Sequence, residues 1–201
     1  MRLNRFETLL MNNPVRALVH RHFEAGRLRR LGGVANGGLA LEIGCGRGVG
    51  VKILKEVFKV EQVHAFDLDE RMISLARNQL KRSGHGGALW VGDATAIAVQ
   101  DSTYDAVFDF GAIHHVLEWR SAIKEIYRVV KPGGRIYIEE ILARWITHPL
   151  FRPLMDHPQI DRFNLEQFAR ALQENGFRVR ATDQFLDLFA WFIADKPQDA
   201  S

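Results

Sequence analysis

The residues with the clearest chemical pattern are alternating glycines that follow an acidic residue. An apolar run, Leu39–Ile43, contains Glu42 and is followed by glycines at 44, 46, 48 and 50. This pattern predicts a buried strand, a tight loop and the start of a helix. Glycine lets the backbone approach a ligand closely or adopt a positive φ, and the first N–H groups of a helix are unpaired. The loop is therefore a candidate ligand-binding site.

The spacing of these glycines argues against two common nucleotide-binding loops. A dinucleotide fingerprint, G-x-G-x-x-G, would place a third glycine where this chain has Val49. A P-loop would require Gly-Lys followed by Ser or Thr, and no such sequence follows the loop.

An acidic residue ends the next predicted strand, Gln62–Asp69. In a βαβ unit Asp67 lies at the carboxyl end of that strand, beside the glycine loop. A carboxylate there can accept hydrogen bonds from both hydroxyls of a ribose, although an acid that merely ends a strand is the alternative. For Asp69 we expect the N-cap of a helix over residues 70–81.

The third predicted strand, Ala88–Ala94, also ends in an acid. Asp93 can accept from the exocyclic amine of adenine while the N–H of Ala94 meets a ring nitrogen. Capping of the following turn by Asp93 is the alternative. A nearly continuous apolar strand, Tyr104–Gly111, and a further strand, Arg135–Glu140, complete an alternation of strands and helices. This order predicts a doubly wound α/β sheet.

Five segments occur in an order and at a spacing that resemble one enzyme family, the class I S-adenosylmethionine (SAM) dependent methyltransferases. The resemblance is to their type-11 group, which includes the quinone-biosynthesis C-methyltransferases, and covers roughly residues 38–141. The segments are Leu41–Gly48, Phe66–Asp69, Val91–Ala94, Tyr104–Val107 and Arg128–Gly134. The resemblance implies a Rossmann-like, mostly parallel seven-stranded sheet with an antiparallel last strand. It also implies SAM as cofactor and S-adenosyl-L-homocysteine as product.

The family also implies roles for individual residues. Glu42, Gly44, Cys45 and Gly46 would line the methionine moiety, and Asp67 would hold the ribose. The adenine would be met by Leu68, Asp93 and Ala94, while Phe110 and Gly111 would flank the methionine end.

Two adjacent histidines follow the fourth predicted strand, where the methyl group is expected to project. A neutral imidazole of His114 or His115 could act as a general base on a phenol or an amine. The alternative is structural, with one ring turned inward and hydrogen-bonded so that the pair fixes the loop. The sequence leaves both interpretations open.

We expect one domain over residues 1–201. Its parts are an N-terminal helical cap at 1–36, with helices at 3–11 and 15–31, the SAM-binding core at 38–141, and a C-terminal helix and strand pair at 164–195. Residues 142–163 are rich in aromatics, Met and Pro and predict either a lid over an apolar acceptor pocket or a packed apolar segment. No tight ligand spacing joins His148, Asp156, His157 and Asp161, so no metal site is predicted.

Charge and composition limit the classes of binding partner and the compartment that we expect for this protein. The net charge of +3 is too small to argue for nucleic acid. Arginines are concentrated in the first 31 residues, which indicates a solvated helix face or a surface for anionic lipid or an acidic substrate. A single cysteine and the absence of an apolar leader favour the cytoplasm. The oligomeric state is not predicted.

These features predict a SAM-dependent methyltransferase that acts on a small, partly apolar acceptor. Two alternatives remain open. One is methylation of a lipid or isoprenoid head group at a membrane surface, and the other is a SAM-binding regulatory or assembly protein without activity.

Overall fold

A computed structural model describes residues 20–35, 38–148 and 160–198. Seven strands form one sheet in the order β3-β2-β1-β4-β5-β7-β6. Neighbours among β1 to β5 are parallel, and β7 is antiparallel to both β5 and β6. The strands are β1 (Leu39–Ile43), β2 (Gln62–Asp67), β3 (Ala88–Val91), β4 (Tyr104–Phe110), β5 (Val130–Ile141), β6 (Arg178–Phe185) and β7 (Phe189–Asp195). The predicted doubly wound sheet with an antiparallel last strand is confirmed.

Six α-helices of the described residues flank this sheet. They are α1 (Ala25–Gly32), α2 (Val49–Glu56), α3 (Glu70–Arg82), α4 (Trp119–Val129), α5 (Ala143–Ile146) and α6 (Leu165–Glu174). One apolar cluster joins α4 and α6 to the sheet, and a second joins α1, α2 and α3 to it. Because each cluster includes residues of the central strands, both faces of the sheet are covered, as a mostly parallel sheet requires. No helix of the described residues is long and apolar enough to cross a membrane.

Helix ends follow the predicted capping chemistry. The Asp69 side chain accepts from the N–H of Arg71 at the start of α3, which confirms Asp69 as an N-cap. Asn164 and Gln167 form a reciprocal capping box at the start of α6. Both helices therefore begin where the sequence predicts.

Three boundaries differ from the prediction. Strand β5 begins at Val130 rather than Arg135, because Val130 already pairs with Tyr104 of β4, before a register shift that brings Arg135 opposite Ala106. The last strand begins at Phe189 rather than residue 185, since Leu186 and Asp187 adopt positive φ in a tight turn. Of the predicted helix over 15–31, residues 15–19 lie outside the described residues, and the rest is a π-helical turn, His20–Glu24, followed by α1. The helix predicted over 3–11 lies outside the described residues.

Candidate active site

The glycine loop joins β1 to α2 in a conformation that requires glycine. Gly44, Gly46 and Gly48 all have positive φ, at 65°, 50° and 82°. A Cβ on Gly44 would lie 2.4 Å from the Cβ of Ala112, whereas a Cβ on Gly46 would meet no atom within 4 Å. The loop is thus packed against the chain after β4 at Gly44 and leaves open space at Gly46.

Asp67, at the end of β2, is tied directly to this loop. One carboxylate oxygen accepts from the N–H of Gly46 and the other from the N–H of Asp69, both at 2.9 Å. Burial raises the pKa of Asp67, while these two N–H donors oppose the rise. Each carboxylate oxygen can accept a second hydrogen bond. The residue therefore meets the requirements for holding a diol beside the loop.

Glu42 lies buried on β1 beneath the loop, with 2% of its surface exposed. Burial, and then the negative charge of Asp67, raise its pKa well above the ordinary value, against a hydrogen bond from the N–H of Val51. Its Oε2 has no hydrogen-bond partner among the described residues. A cation bound at the loop would satisfy this oxygen and favour the ionised carboxylate.

The residues around the glycine loop fit the chemical groups of SAM. Bound SAM would bring a cationic sulfonium and an ammonium group to the orphaned Glu42 carboxylate, and a ribose diol to Asp67. The open space at Gly46 accommodates an approaching ligand. Cys45 is unsuited to act as a nucleophile, because burial raises the pKa of its thiol far above the ordinary value, and its contact with the cofactor stays a prediction.

The predicted adenine contacts lie at the ends of β2 and β3. Leu68 exposes 48% of its surface next to Asp67, and Ala94 is buried. Asp93 is exposed, and its Oδ1 accepts from both the N–H and the hydroxyl of Thr95 at 2.8 Å. The turn-capping alternative is therefore realised, and contact of Asp93 with adenine stays a prediction.

At the predicted methionine end, the N-terminal segment packs on Phe110. The His20 ring meets the Phe110 ring edge-on, with centroids 4.5 Å apart. Gly111, which follows Phe110, has a φ of 78°, and a Cβ there would lie 3.5 Å from Cε1 of His114. This end of the site is thus bounded by the π-helical turn on one side and by the histidine turn on the other.

The structure separates the two candidate histidines, which lie in a 3₁₀ turn, Ile113–His115. His114 is 2% exposed, and its Nδ1 lies 2.7 Å from Oε2 of Glu140. His115 is half-buried, and its ring lies against the His114 ring with centroids 4.2 Å apart. His114 is the inward-facing ring of the structural alternative, which leaves His115 as the more accessible candidate base.

A buried acid pair behind the histidine turn was not predicted from the sequence. Glu140 and Asp109 are both fully buried, on adjacent strands β5 and β4. Burial raises both pKa values, and the Glu140 carboxylate raises that of Asp109 further, well above its ordinary range. Because the neighbouring Glu140 carboxylate disfavours ionisation of Asp109, we assign the proton of the pair to Asp109.

Arg162, the other residue that sequence reasoning missed, ties the chain before α6 to this turn. Its buried guanidinium donates to the carbonyl of His114 at 2.6 Å and to that of Val116 at 3.3 Å. In the sequence, the acid pair and Arg162 are indicated only by their position as charged residues next to strongly apolar ones.

The region predicted as a lid is described only at its two ends. Ile146 and Phe163 are buried, and the Phe163 ring packs against Trp119 at 4.9 Å. Residues 149–159, including Asp156 and His157, lie outside the described residues. Asp161 forms an ion pair with Arg120 at 2.5 Å, and no cluster of ligand side chains for a metal occurs in the described ranges.

Comparison with known proteins identifies the family. A model described as "Methyltransferase domain" matches residues 41–138, which span the strands and loops of the candidate site. The ubiquinone/menaquinone biosynthesis C-methyltransferase UbiE of Hydrogenovibrio crunogenus is 29% identical over 150 residues, 73% of this chain and 58% of the relative. Residues 41–138 form a class I SAM-dependent methyltransferase domain of the type-11 group.

Other similar proteins of this methyltransferase family differ in their named chemistry. Phosphoethanolamine N-methyltransferase 2 of Caenorhabditis elegans is 30% identical over 112 residues, 55% of this chain and 25% of the relative. The chain thus spans only part of the length of these two relatives. A crystal structure of a putative sarcosine dimethylglycine methyltransferase from Galdieria sulphuraria has a TM-score of 0.77 at 15% identity, covering 91% of this chain and 86% of that one. At that identity the likeness shows the fold alone.

Proposed function

We propose that this protein transfers a methyl group from SAM to a small, partly apolar acceptor. The observation that carries the proposal is the arrangement of Asp67, Gly46 and Glu42. The Asp67 carboxylate is fixed by the Gly46 N–H at 2.9 Å, and the Glu42 carboxylate is buried on the neighbouring strand with an orphaned oxygen. One carboxylate that can accept hydrogen bonds from a diol and another that can face a cation thus lie at the same glycine loop. They match the ribose diol and the sulfonium of SAM.

SAM, when bound, supplies a methyl group on a sulfonium, which is electrophilic without help from the protein. The protein's task is to hold and orient the reactants. Asp67 holds the ribose hydroxyls, and Glu42 balances the positive charge at the methionine end. Phe110 and Gly111 bound the space in which the acceptor approaches. A ring nitrogen of His115 takes up the proton when the acceptor atom carries one.

The surface beside the histidine turn supports a partly apolar acceptor. Leu117 and Ile160 expose 57% and 80% of their surfaces. Leu117 follows the turn by two residues, and Ile160 lies close to it because Arg162 donates to the carbonyls of both Ile160 and His114. The names of the relatives give two acceptor classes to try first, a quinone precursor methylated at carbon and phosphoethanolamine methylated at nitrogen.

Two of the four arginines described in the basic N-terminal segment give the membrane alternative no support, while Arg29 and Arg30 are exposed. Arg21 is paired with Glu56, and Arg27 with Asp183 while its guanidinium stacks over Trp191. These two arginines of the basic segment therefore pack within the domain, as a solvated and internally paired helix does.

The test is the release of S-adenosylhomocysteine from SAM with an alkylated quinol, phosphoethanolamine and a simple phenol as acceptors. The wild type is expected to turn over at least one of them. His115→Ala should lower kcat about 10²-fold at unchanged SAM affinity. The control is His85→Ala, which changes a histidine at the far end of α3 that bonds the Ser83 carbonyl. SAM binding without turnover of any acceptor would favour a non-catalytic SAM-binding protein.

A further inference from the structure

Glu140, one member of the buried acid pair, makes more contacts than are needed to hold the backbone of the histidine turn. Glu140 accepts from the backbone N–H of Ile113 at 2.7 Å and of His114 and Ile141 at 3.2 Å. The same carboxylate also contacts Nδ1 of His114 at 2.7 Å. A single side chain therefore fixes both the backbone of the turn and the orientation of one of its rings.

We propose that Glu140 is a positioning residue for methyl transfer, which acts through His114 on the half-buried ring of His115. This inference rests on the proposed function. It goes beyond that function by assigning a role to two buried residues, Glu140 and Asp109, that do not contact the cofactor or the acceptor.

The contact with Glu140 determines the tautomer of His114. Both oxygens of Glu140 accept from backbone N–H groups, as those of an ionised carboxylate do, so we assign the hydrogen of the 2.7 Å contact to Nδ1 of His114. The neutral ring then has its unprotonated nitrogen at Nε2, on the side away from the acid pair. A buried carboxylate fixes the tautomer of a histidine in the same way in many hydrolase and metal sites.

The charge balance around Glu140 bears on the charge of His114. The charged or titratable groups that face it are Asp109 on β4, His114 in the turn and Arg162 before α6. Glu139 precedes it on β5, so its side chain points to the opposite face. When Asp109 is protonated and Glu140 is ionised, the charges of the pair and of Arg162 sum to zero, and the buried site is then balanced with a neutral His114.

The contact between the two rings links His114 to His115. With centroids 4.2 Å apart, a positive charge on His114 would lower the pKa of His115 and weaken it as a base. A neutral, oriented His114 leaves His115 able to accept a proton. Glu140 thereby sets both the position and the basicity of His115 without contacting the reactants.

The experiment combines two measurements on the full chain. The first is ¹⁵N NMR of the histidine rings, whose nitrogen shifts report tautomer and charge, with His114 assigned from a His114→Asn variant. In the wild type at neutral pH, His114 is expected as the neutral Nδ1–H tautomer. A charged His114, or the Nε2–H tautomer, would overturn the proposal, and this reading requires no variant of Glu140 to fold.

The second measurement compares Glu140→Gln with a matched control. The amide can still accept from the backbone N–H groups but cannot reproduce the ionic contact with Nδ1 of His114. We expect kcat to fall about 10²-fold, the pH profile of kcat to shift, and the Kd for SAM to stay unchanged. The control is Glu125→Gln, since Glu125 also accepts from a backbone N–H, that of Ile97 at 2.8 Å, and pairs with Arg128 away from the turn.

The outcomes separate this inference from the proposed function. A wild type that binds SAM and transfers methyl groups, with Glu140→Gln equal to Glu125→Gln in kcat and pH profile, contradicts the inference alone. A wild type that binds no SAM contradicts the proposed function, and the positioning role with it.

Discussion

Asp67 accepts a hydrogen bond of 2.9 Å from the backbone of Gly46, although 21 residues separate them along the chain. The bond joins the end of β2 to the loop after β1, and it fixes the one carboxylate that faces the glycine loop from the neighbouring strand. Because parallel strands β1 and β2 are adjacent, their carboxyl ends meet at one edge of the sheet. The cofactor proposal depends on this relationship.

The open space at Gly46 predicts a substitution that separates binding from stability. Gly46→Ala and Gly84→Ala both place an alanine at positive φ, 50° and 69°, with no neighbouring atom within 4 Å. Each should cost about 1–2 kcal/mol of unfolding free energy. Only Gly46→Ala should weaken SAM binding, since its methyl group enters the space of the ligand. Urea unfolding and calorimetry measure the two effects, and equal SAM affinities for the two variants would contradict the placement of the ligand.

The raised pKa of Glu42 predicts that SAM binding releases protons. A bound cation favours the ionised carboxylate, so affinity should rise with pH between 6 and 8, by at most about tenfold per pH unit for one proton. Calorimetry in buffers of different ionisation enthalpy gives the number of protons released.

Asp67, whose pKa burial also raises, titrates in the same direction. Glu42→Gln separates the two, because it should flatten the pH dependence and reduce proton release. A wild-type affinity that does not change over this range would contradict the role of Glu42.

The buried acid pair predicts an inverted dependence of stability on pH. The pKa of Asp109 is raised above its unfolded value, so between the two values the folded state binds more protons than the unfolded state. The free energy of unfolding should therefore fall as pH rises from 5.5 to 8. Asp109→Asn mimics the protonated acid and keeps an oxygen for the N–H of Ala112, so it should flatten this slope and stabilise the protein at pH 8.

Urea unfolding at pH 5.5 and pH 8 checks this expectation. His64, whose pKa is lowered by burial, contributes the opposite slope, but it does so equally in both proteins. The carboxylates with lowered pKa values, such as Glu56 and Glu125, lose their contribution below an ordinary pKa of about 4, outside this range. A slope that is the same in wild type and Asp109→Asn would show that Asp109 is not the protonated member.

The sheet and the cofactor edge could be predicted from the sequence because they follow from local rules. Strand-to-helix alternation gives the topology, and strand-end acids such as Asp67 and Asp69 gain their positions from that topology alone. The contact between Asp109 and Glu140 could not be predicted in this way. Each acid merely interrupts an apolar strand, and their pairing depends on the register of β4 against β5, which shifts between Tyr104 and Ala106. The roles of the two histidines depend on that same register.

The most direct test of the cofactor site is calorimetric titration with SAM and S-adenosylhomocysteine of the wild type, Asp67→Ala and Asp105→Ala. Asp105 is the matched control, because it also accepts from a backbone N–H, that of Leu39 at 2.8 Å, but lies at the opposite edge of the sheet. We expect the wild type to bind both ligands and Asp67→Ala to bind them about 10- to 100-fold more weakly, with Asp105→Ala like the wild type. No binding to the wild type, or equal affinities for the wild type and Asp67→Ala, would contradict the site proposed here.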